Sequence, residues 1–108
     1  MRFEFQECIE VCLECAIACS RCAVSCLQEN DIEMMRRCIN LDMECETICY
    51  AAAKIMSVYG EHANEVCRVC SAICEACAEE CERHDTEHCQ YCAKICYECS
   101  SICKSMVA

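Results

Sequence analysis

Six cysteines, at Cys8, Cys12, Cys15, Cys19, Cys22 and Cys26, follow one another in steps of four, three, four, three and four residues. That alternation is the a/d rhythm that keeps one face of a helix turned toward its neighbours, so the six thiols form a single stripe. At about 1.5 Å rise per residue, about 18 residues carry the stripe over roughly 27 Å. The rhythm recurs at Cys67, Cys70, Cys74, Cys77 and Cys81, and again at Cys89, Cys92, Cys96, Cys99 and Cys103. A sparser version reads Met35, Cys38, Asp42, Cys45, Cys49, Ala52, Met56, and His84 and His88 take the next places after Cys81. Positions that are normally Leu or Ile are sulfur on every one of these rows.

Packing alone does not account for this choice. A buried cysteine behaves as a small hydrophobe, but it gives up about 0.8 kcal/mol for each methylene it lacks relative to leucine. Metal chemistry does account for it, because thiolates are soft ligands that select Cu(I), Zn(II) or iron–sulfur clusters. Cysteines four apart on a helix can converge on one two-coordinate Cu(I) ion, and neighbouring pairs can share a sulfur to make a continuous chain of sites. Zinc requires four ligands in a tetrahedron at about 2.3 Å, usually supplied by loops that wrap the ion. Charge points the same way. Each Cu(I) that displaces one thiol proton leaves the core charge unchanged, whereas every four-thiolate Zn(II) site leaves two uncompensated negative charges in a low-dielectric interior. With bridging sulfurs the capacity is on the order of ten to twenty Cu(I) ions per chain, which is storage rather than catalysis. The alternative is a metallothionein-like Zn(II) or Cd(II) buffer. The C-x-x-C pairs, such as Cys12-Leu13-Glu14-Cys15 and Cys67-Arg68-Val69-Cys70, follow from the heptad rhythm. They lack the βαβ context and exposed helix start of a thiol–disulfide enzyme, so no catalytic residues are expected.

Near a surface, neutral imidazoles at His84 and His88 can bind an arriving ion and pass it inward to tighter thiolates. Asp42 is the anomaly on an otherwise apolar stripe, since a buried carboxylate must be paired or bound to metal. It is expected either to serve the metal, as a ligand or beside one, or to find a partner such as Arg36, Arg37 or a backbone donor. Met34 and Met35 read as gap-filling residues placed where a thioether can assist capture, Met56 and Met106 as an apolar plug, and His62 as surface.

Positioning these rows requires four helices. Without Pro and with only Gly60 as a breaker, the composition predicts an all-α chain. The expected helices run from about residue 4 to 28, 31 to 59 and 61 to 83, with a fourth carrying Cys89 to Met106. Asn30 with Glu33 resembles a capping box for the second helix, Gly60 a left-handed stop after it, and Asp85 or Thr86 the cap of the fourth. Ile9, Leu13, Ile17 and Val24 form a second apolar stripe beside the cysteines of the first helix, suited to a neighbouring helix or another subunit. Ile39, Leu41, Ile48 and Ile55 flank the second row. Short turns make an up-down-up-down antiparallel bundle, one domain over residues 1–108. Cys26, Met34, Met35, Cys38, Cys81, His84, Asp85, His88 and Cys89 are thereby gathered at one end, and Cys8, Met56, His62, Cys103 and Met106 at the other.

Composition bounds the setting. The chain of 108 residues has a formal net charge of -10, carried by residues such as Glu10, Glu14, Glu29, Glu33, Glu44, Glu46, Glu79, Glu80 and Glu82. These are read as a solvated exterior that also attracts cations by field and excludes nucleic acid as a partner. No apolar run approaches the about 20 residues of a membrane span. The first seven residues are acidic and lack the apolar core of a signal peptide. Together with nineteen cysteines, an odd number, this predicts a reducing cytoplasm with thiols or metal instead of disulfides.

The stripe from Cys8 to Cys26, the segment Cys38-Ile39-Asn40-Leu41-Asp42-Met43-Glu44-Cys45 and the turn Cys81-Glu82-Arg83-His84-Asp85-Thr86-Glu87-His88-Cys89 resemble the four-helix-bundle copper storage proteins of bacteria, in the branch without an export signal. The resemblance spans nearly the whole chain. It implies a cytosolic store of many Cu(I) ions on inward cysteines, a homo-oligomer that is commonly a tetramer, and a copper mouth at the end bearing His84 and His88; a copper chaperone or chelator is a further expected partner for loading and release. The sparse second row departs from an ideal tube, so copper beyond Cys49 is expected to rest mainly on the other three helices, with uneven filling.

Overall fold

The structure is a computed structural model that describes residues 5–107. It consists of four helices, α1 (Gln6–Cys26), α2 (Ile32–Ser57), α3 (Ala63–Glu82) and α4 (Glu87–Ser105), with no strand among the described residues. The expected start of the first helix at Glu4 lies outside the described residues.

Each helix packs on its two neighbours around a square: α1 on α2 and α4, and α3 on α2 and α4. The sulfur contacts fix the directions. Cys8 at the start of α1 lies 3.4 Å from Cys103 at the end of α4, while Cys26 at the end of α1 lies 3.9 Å from Cys38 and 3.8 Å from Cys89 at the starts of α2 and α4. Consecutive helices therefore run antiparallel, and the bundle measures 48 × 20 × 18 Å. Ile9, Ile39, Leu41, Ile48, Ile55, Val66, Ile73 and Ile102 pack half-buried around the sulfur row. Small residues let the helices close up on that row. Ser71 and Ser100 each donate to the other's carbonyl, at 3.0 and 2.9 Å, where α3 meets α4, and Ala16, Ala52 and Ala78 are fully buried.

The helix ends differ from the sequence expectation in informative ways. Asp31, not Asn30, caps α2 by accepting from the Met34 backbone N–H at 3.1 Å. Arg36 binds Glu33, so that side chain does not reach back to complete a capping box. After α2 it is Tyr59, with φ 51°, that turns left-handed, whereas Gly60 has no positive φ. The hydrogen bonds Tyr59 N–H to Met56 O and Gly60 N–H to Ile55 O, at 3.0 and 2.9 Å, form a Schellman pair one residue earlier than expected. Gly60 serves close approach instead, because a Cβ there would lie 2.8 Å from Ile55 Cγ2. Thr86 caps α4 by its backbone position, without a side-chain cap bond.

Among the described residues no helix is long and apolar enough to cross a membrane.

Candidate metal centre

All nineteen cysteines are buried free thiols. The a/d rhythm on each helix puts successive sulfurs on one face, and the square arrangement turns those faces onto one axis. At the far end Cys103 bridges Cys8 and Cys12, at 3.4 and 3.6 Å, and Cys67 donates to the Met56 thioether at 3.5 Å. In the middle Cys15 lies 3.7 Å from both Cys45 and Cys96, Cys19 lies 3.6 Å from Cys96, and Cys74 lies 3.5 Å from Cys45 and 3.6 Å from Cys49. Toward the other end Cys38 lies 3.4 Å from Cys81, and Cys22 lies 3.8 Å from Cys89. Sulfur contacts link Cys8 through to Cys92 and Cys77 through to Cys26, and Asp42, which accepts from both Cys92 and Cys77, joins the two stretches.

Four-sulfur groups recur along this row: Cys12, Cys49, Cys70 and Cys99; then Cys15, Cys49, Cys74 and Cys99; then Cys15, Cys19, Cys45 and Cys96; then Cys19, Cys77, Cys92 and Cys96; and finally Cys22, Cys26, Cys38 and Cys89, with the sulfurs of each group within 4.8 Å of one another. Successive middle groups share members. Shared sulfurs suit ions that accept bridging thiolates better than a row of separate tetrahedra, each needing four thiolates of its own.

Asp42 sits inside the row and is fully buried. Its Oδ1 accepts from Cys77, Cys92 and Cys81 at 3.2, 3.4 and 3.6 Å, and Oδ2 faces Cys38 at 4.0 Å. The arginines expected as its partners are engaged elsewhere, Arg36 with Glu33 and Arg37 with Glu80. Burial first, and then the charges of Cys92 and Cys38, push the Asp42 carboxyl up to about 9. It is thus held as a neutral acid among thiols at pH 7.

Burial and neighbouring sulfurs shift different thiols in opposite directions. Burial, with the charges of Cys38 and Cys89, pushes Cys26 up. Cys96 is raised by its neighbours Cys15 and Cys19 and by burial, while S–H bonds from Cys15 and Cys19 lower Cys45. Loss of a proton from one thiol in this row is thus favoured by S–H bonds from its neighbours and opposed by burial.

The two histidines are not equivalent. His88, in the first turn of α4, directs Nδ1 at Cys22, Cys89 and Cys26, at 3.6, 3.6 and 4.0 Å. His84 lies in the turn between α3 and α4, outside the helical register that the sequence suggested, and its Nε2 is bonded to Glu80 at 2.9 Å. It also lines a cavity of about 400 Å³ with Glu29, Asp31, Met34, Met35 and Asp85. Met34 is exposed there and Met35 is buried. His62 is exposed, paired with Glu61 and Glu65.

Two carboxylates escaped the sequence reading. Glu80, assigned to the solvated exterior, is buried and binds Arg37, Arg83 and His84. Burial would push it up, but the hydrogen bonds from His84 and Arg37 hold it below the usual glutamate range. Its spacing of four from His84 was the readable signal. Glu29 meets His88 Nε2 at 3.3 Å across 59 positions of sequence, a pairing signalled only by the shared bundle end.

The sequence profile of the Csp family, described as copper storage protein, matches residues 1–108. A Bacillus subtilis (strain 168) protein, the cysteine-rich YhjQ, is 45% identical over 80 residues, which are 74% of each chain. The Cu(I)-bound copper storage protein BsCsp3 of Bacillus subtilis superposes with a TM-score of 0.93 at 44% identity, covering 96% of this chain and 98% of that one. Ccsp of Streptomyces lividans, loaded with 10 copper equivalents, superposes with a TM-score of 0.89 at 38% identity, covering 92% of this chain and 80% of that one.

Proposed function

The chain belongs to the copper storage protein family, and from that premise we propose that it holds its copper on all nineteen cysteines together with Asp42, with His84 and His88 as the receiving groups at the mouth. The function is storage of many Cu(I) ions in the core of a four-helix bundle, in preference to a zinc or cadmium buffer. One observation carries this most directly: every thiol is buried along one axis, in four-sulfur groups whose middle members are shared, with Asp42 joining them to the sulfurs of the mouth end. Copper passes inward from the His84–His88 end, first to Cys22, Cys26 and Cys89 and then along the row. Each ion displaces a thiol proton, so the core stays near neutral as it fills. A store needs no reacting centre, and the protein is read as a non-enzyme.

The rest of the reading follows from the same basis. The whole of residues 1–108 acts as one copper-binding unit. The protein works in the cytoplasm, a placement supported by the Streptomyces lividans relative being described as a cytosolic copper storage protein. It assembles with copies of itself, as a tetramer, through apolar residues such as Leu13, Ile17 and Val24, which α1 leaves 40, 46 and 60% exposed. A copper chaperone or small chelator loads and unloads it.

The deciding experiment is an anaerobic titration of reduced apo protein with Cu(I) against a colorimetric chelator, beside the same titration with Zn(II). Withdrawal of copper beyond about ten equivalents per chain is the expected result. Saturation at a few equivalents of copper, with zinc binding near one per four cysteines, would overturn the reading.

A further inference from the structure

Both mouth imidazoles are held at the same ring atom by a carboxylate. Glu29 Oε2 lies 3.3 Å from His88 Nε2, and Glu80 Oε2 lies 2.9 Å from His84 Nε2. An ionised carboxylate only accepts, so each contact places a proton on Nε2, and in the neutral imidazole this leaves the lone pair on Nδ1. For His88 that lone pair faces the thiols of Cys22, Cys26 and Cys89. Glu80 is itself fixed: Arg37 and Arg83 donate to its Oε1 at 2.7 and 3.0 Å, which leaves Oε2 for His84. Gln90 then donates to the His84 and Glu82 carbonyls, at 2.7 and 3.0 Å, and fixes the turn that carries the ring.

We propose that Glu29 and Glu80 are positioning residues for copper uptake, each holding its histidine by Nε2 so that Nδ1 is ready to take Cu(I) and hand it to the sulfur row. The proposal rests on the reading that these histidines pass copper. The two carboxylates act through different rings: Glu29 through His88 at the thiols, and Glu80 through His84 at the cavity. An anion that attracted Cu(I) by charge alone would act whether or not the histidine were present. A positioning residue acts only through it, and the loss of such a partner of a metal-binding histidine typically costs about ten- to a hundredfold.

The test follows the rate at which reduced apo protein strips Cu(I) from a colorimetric bis-chelate complex, under anaerobic stopped flow. Glu29→Ala and Glu80→Ala should each slow the first phase roughly tenfold, while the final copper uptake stays at the wild-type level. In the His88→Ala and His84→Ala backgrounds, respectively, the same changes should add nothing. Glu29→Gln keeps an acceptor oxygen without the charge and should restore most of the rate. A readout independent of copper is the Nε2–H proton resonance of each histidine in the apo protein, expected to be sharp in wild type and lost in the matching alanine variant. Equal slowing with and without the histidine, equal slowing by Gln and Ala at position 29, or no slowing at all would overturn the proposal. A wild-type chain that strips no copper would instead overturn the storage reading, and equilibrium uptake reports that separately.

Discussion

Cys77 Sγ on α3 donates to Asp42 Oδ1 on α2 at 3.2 Å, and this bond sets a carboxyl in the middle of the sulfur row. Three further thiols, Cys81, Cys92 and Cys38, turn toward the same group. Among the described residues no cation pairs with it, and Arg36 and Arg37 are bound to Glu33 and Glu80. The carboxyl is therefore kept by its proton, and that proton has a consequence for stability.

Burial raises Asp42 from 3.8 to about 9. An unfolded chain releases this proton near pH 4, whereas the folded chain retains it, so the native state binds more protons throughout that window. Stability then falls as pH rises, by at most about 1.4 kcal/mol per pH unit from this one group. Urea denaturation of the reduced apo protein should show midpoints that decline from about pH 5 to about pH 8. Asp42→Asn, close in shape to the protonated acid, should flatten that decline. A midpoint that rises with pH in the wild type would mean that Asp42 is buried as an anion.

Thiol reactivity separates a store from a redox enzyme. Every sulfur is buried, so an alkylating reagent reaches it only through opening of the bundle. An opening of about 3 kcal/mol slows the reaction roughly a hundredfold. Alkylation of the native reduced apo protein, followed by mass, should proceed slowly and without a fast subset, and should become immediate in denaturant. One or two cysteines that react at the rate of a free thiol would instead mark a catalytic pair.

The bundle ends make different demands of their methionines. Met56 is 1% exposed and accepts from Cys67, while Met34 is 60% exposed at the mouth cavity. Met56→Ala should cost about 2 to 5 kcal/mol by leaving a cavity, and Met34→Ala should stay within about 0.5 kcal/mol of wild type. Chemical denaturation of the two variants measures the contrast directly. Similar losses for both would show that the mouth is packed as tightly as the far end.

The cysteine rows were legible because a period of three and four survives any detail of packing. Cys8 to Cys26 can face only one way on a helix, and four such rows with short turns leave a bundle as the economical arrangement. What escaped depended on contacts between distant segments or on single dihedrals. Tyr59 takes the left-handed conformation expected of Gly60, while Gly60 follows it in close approach to Ile55, a one-residue shift of the helix end that the sequence pattern does not show. Glu80 looked like one more surface glutamate until Arg37, from a different helix, came within 2.7 Å of it. His84 followed the cysteine register on paper, but α3 ends at Glu82 and the ring then turns to Glu80. Asp42 could be recognised as anomalous from its stripe alone, yet that its neighbours are thiols rather than arginines is a property of the packed core.

Metal removal tests whether copper builds the fold or only fills it. In a zinc finger the metal is the core, and its removal unfolds the chain. Here Ile9, Ile39, Ile48, Ile55, Val66, Ile73 and Ile102 pack around the thiols from all four helices and make their contacts without any ion. The reduced apo protein should therefore keep its helical circular dichroism after copper is stripped by a chelator. Loading should still raise the melting temperature, because each ion that binds only the folded chain adds about 2.7 kcal/mol at a hundredfold excess over its dissociation constant. Thermal melts of apo and loaded protein at equal concentration give the comparison. Retained helicity with a higher loaded Tm places copper as cargo in a finished container, whereas a random-coil apo spectrum would mean that the half-buried isoleucines and valines are too thin a layer to hold the bundle without its metal.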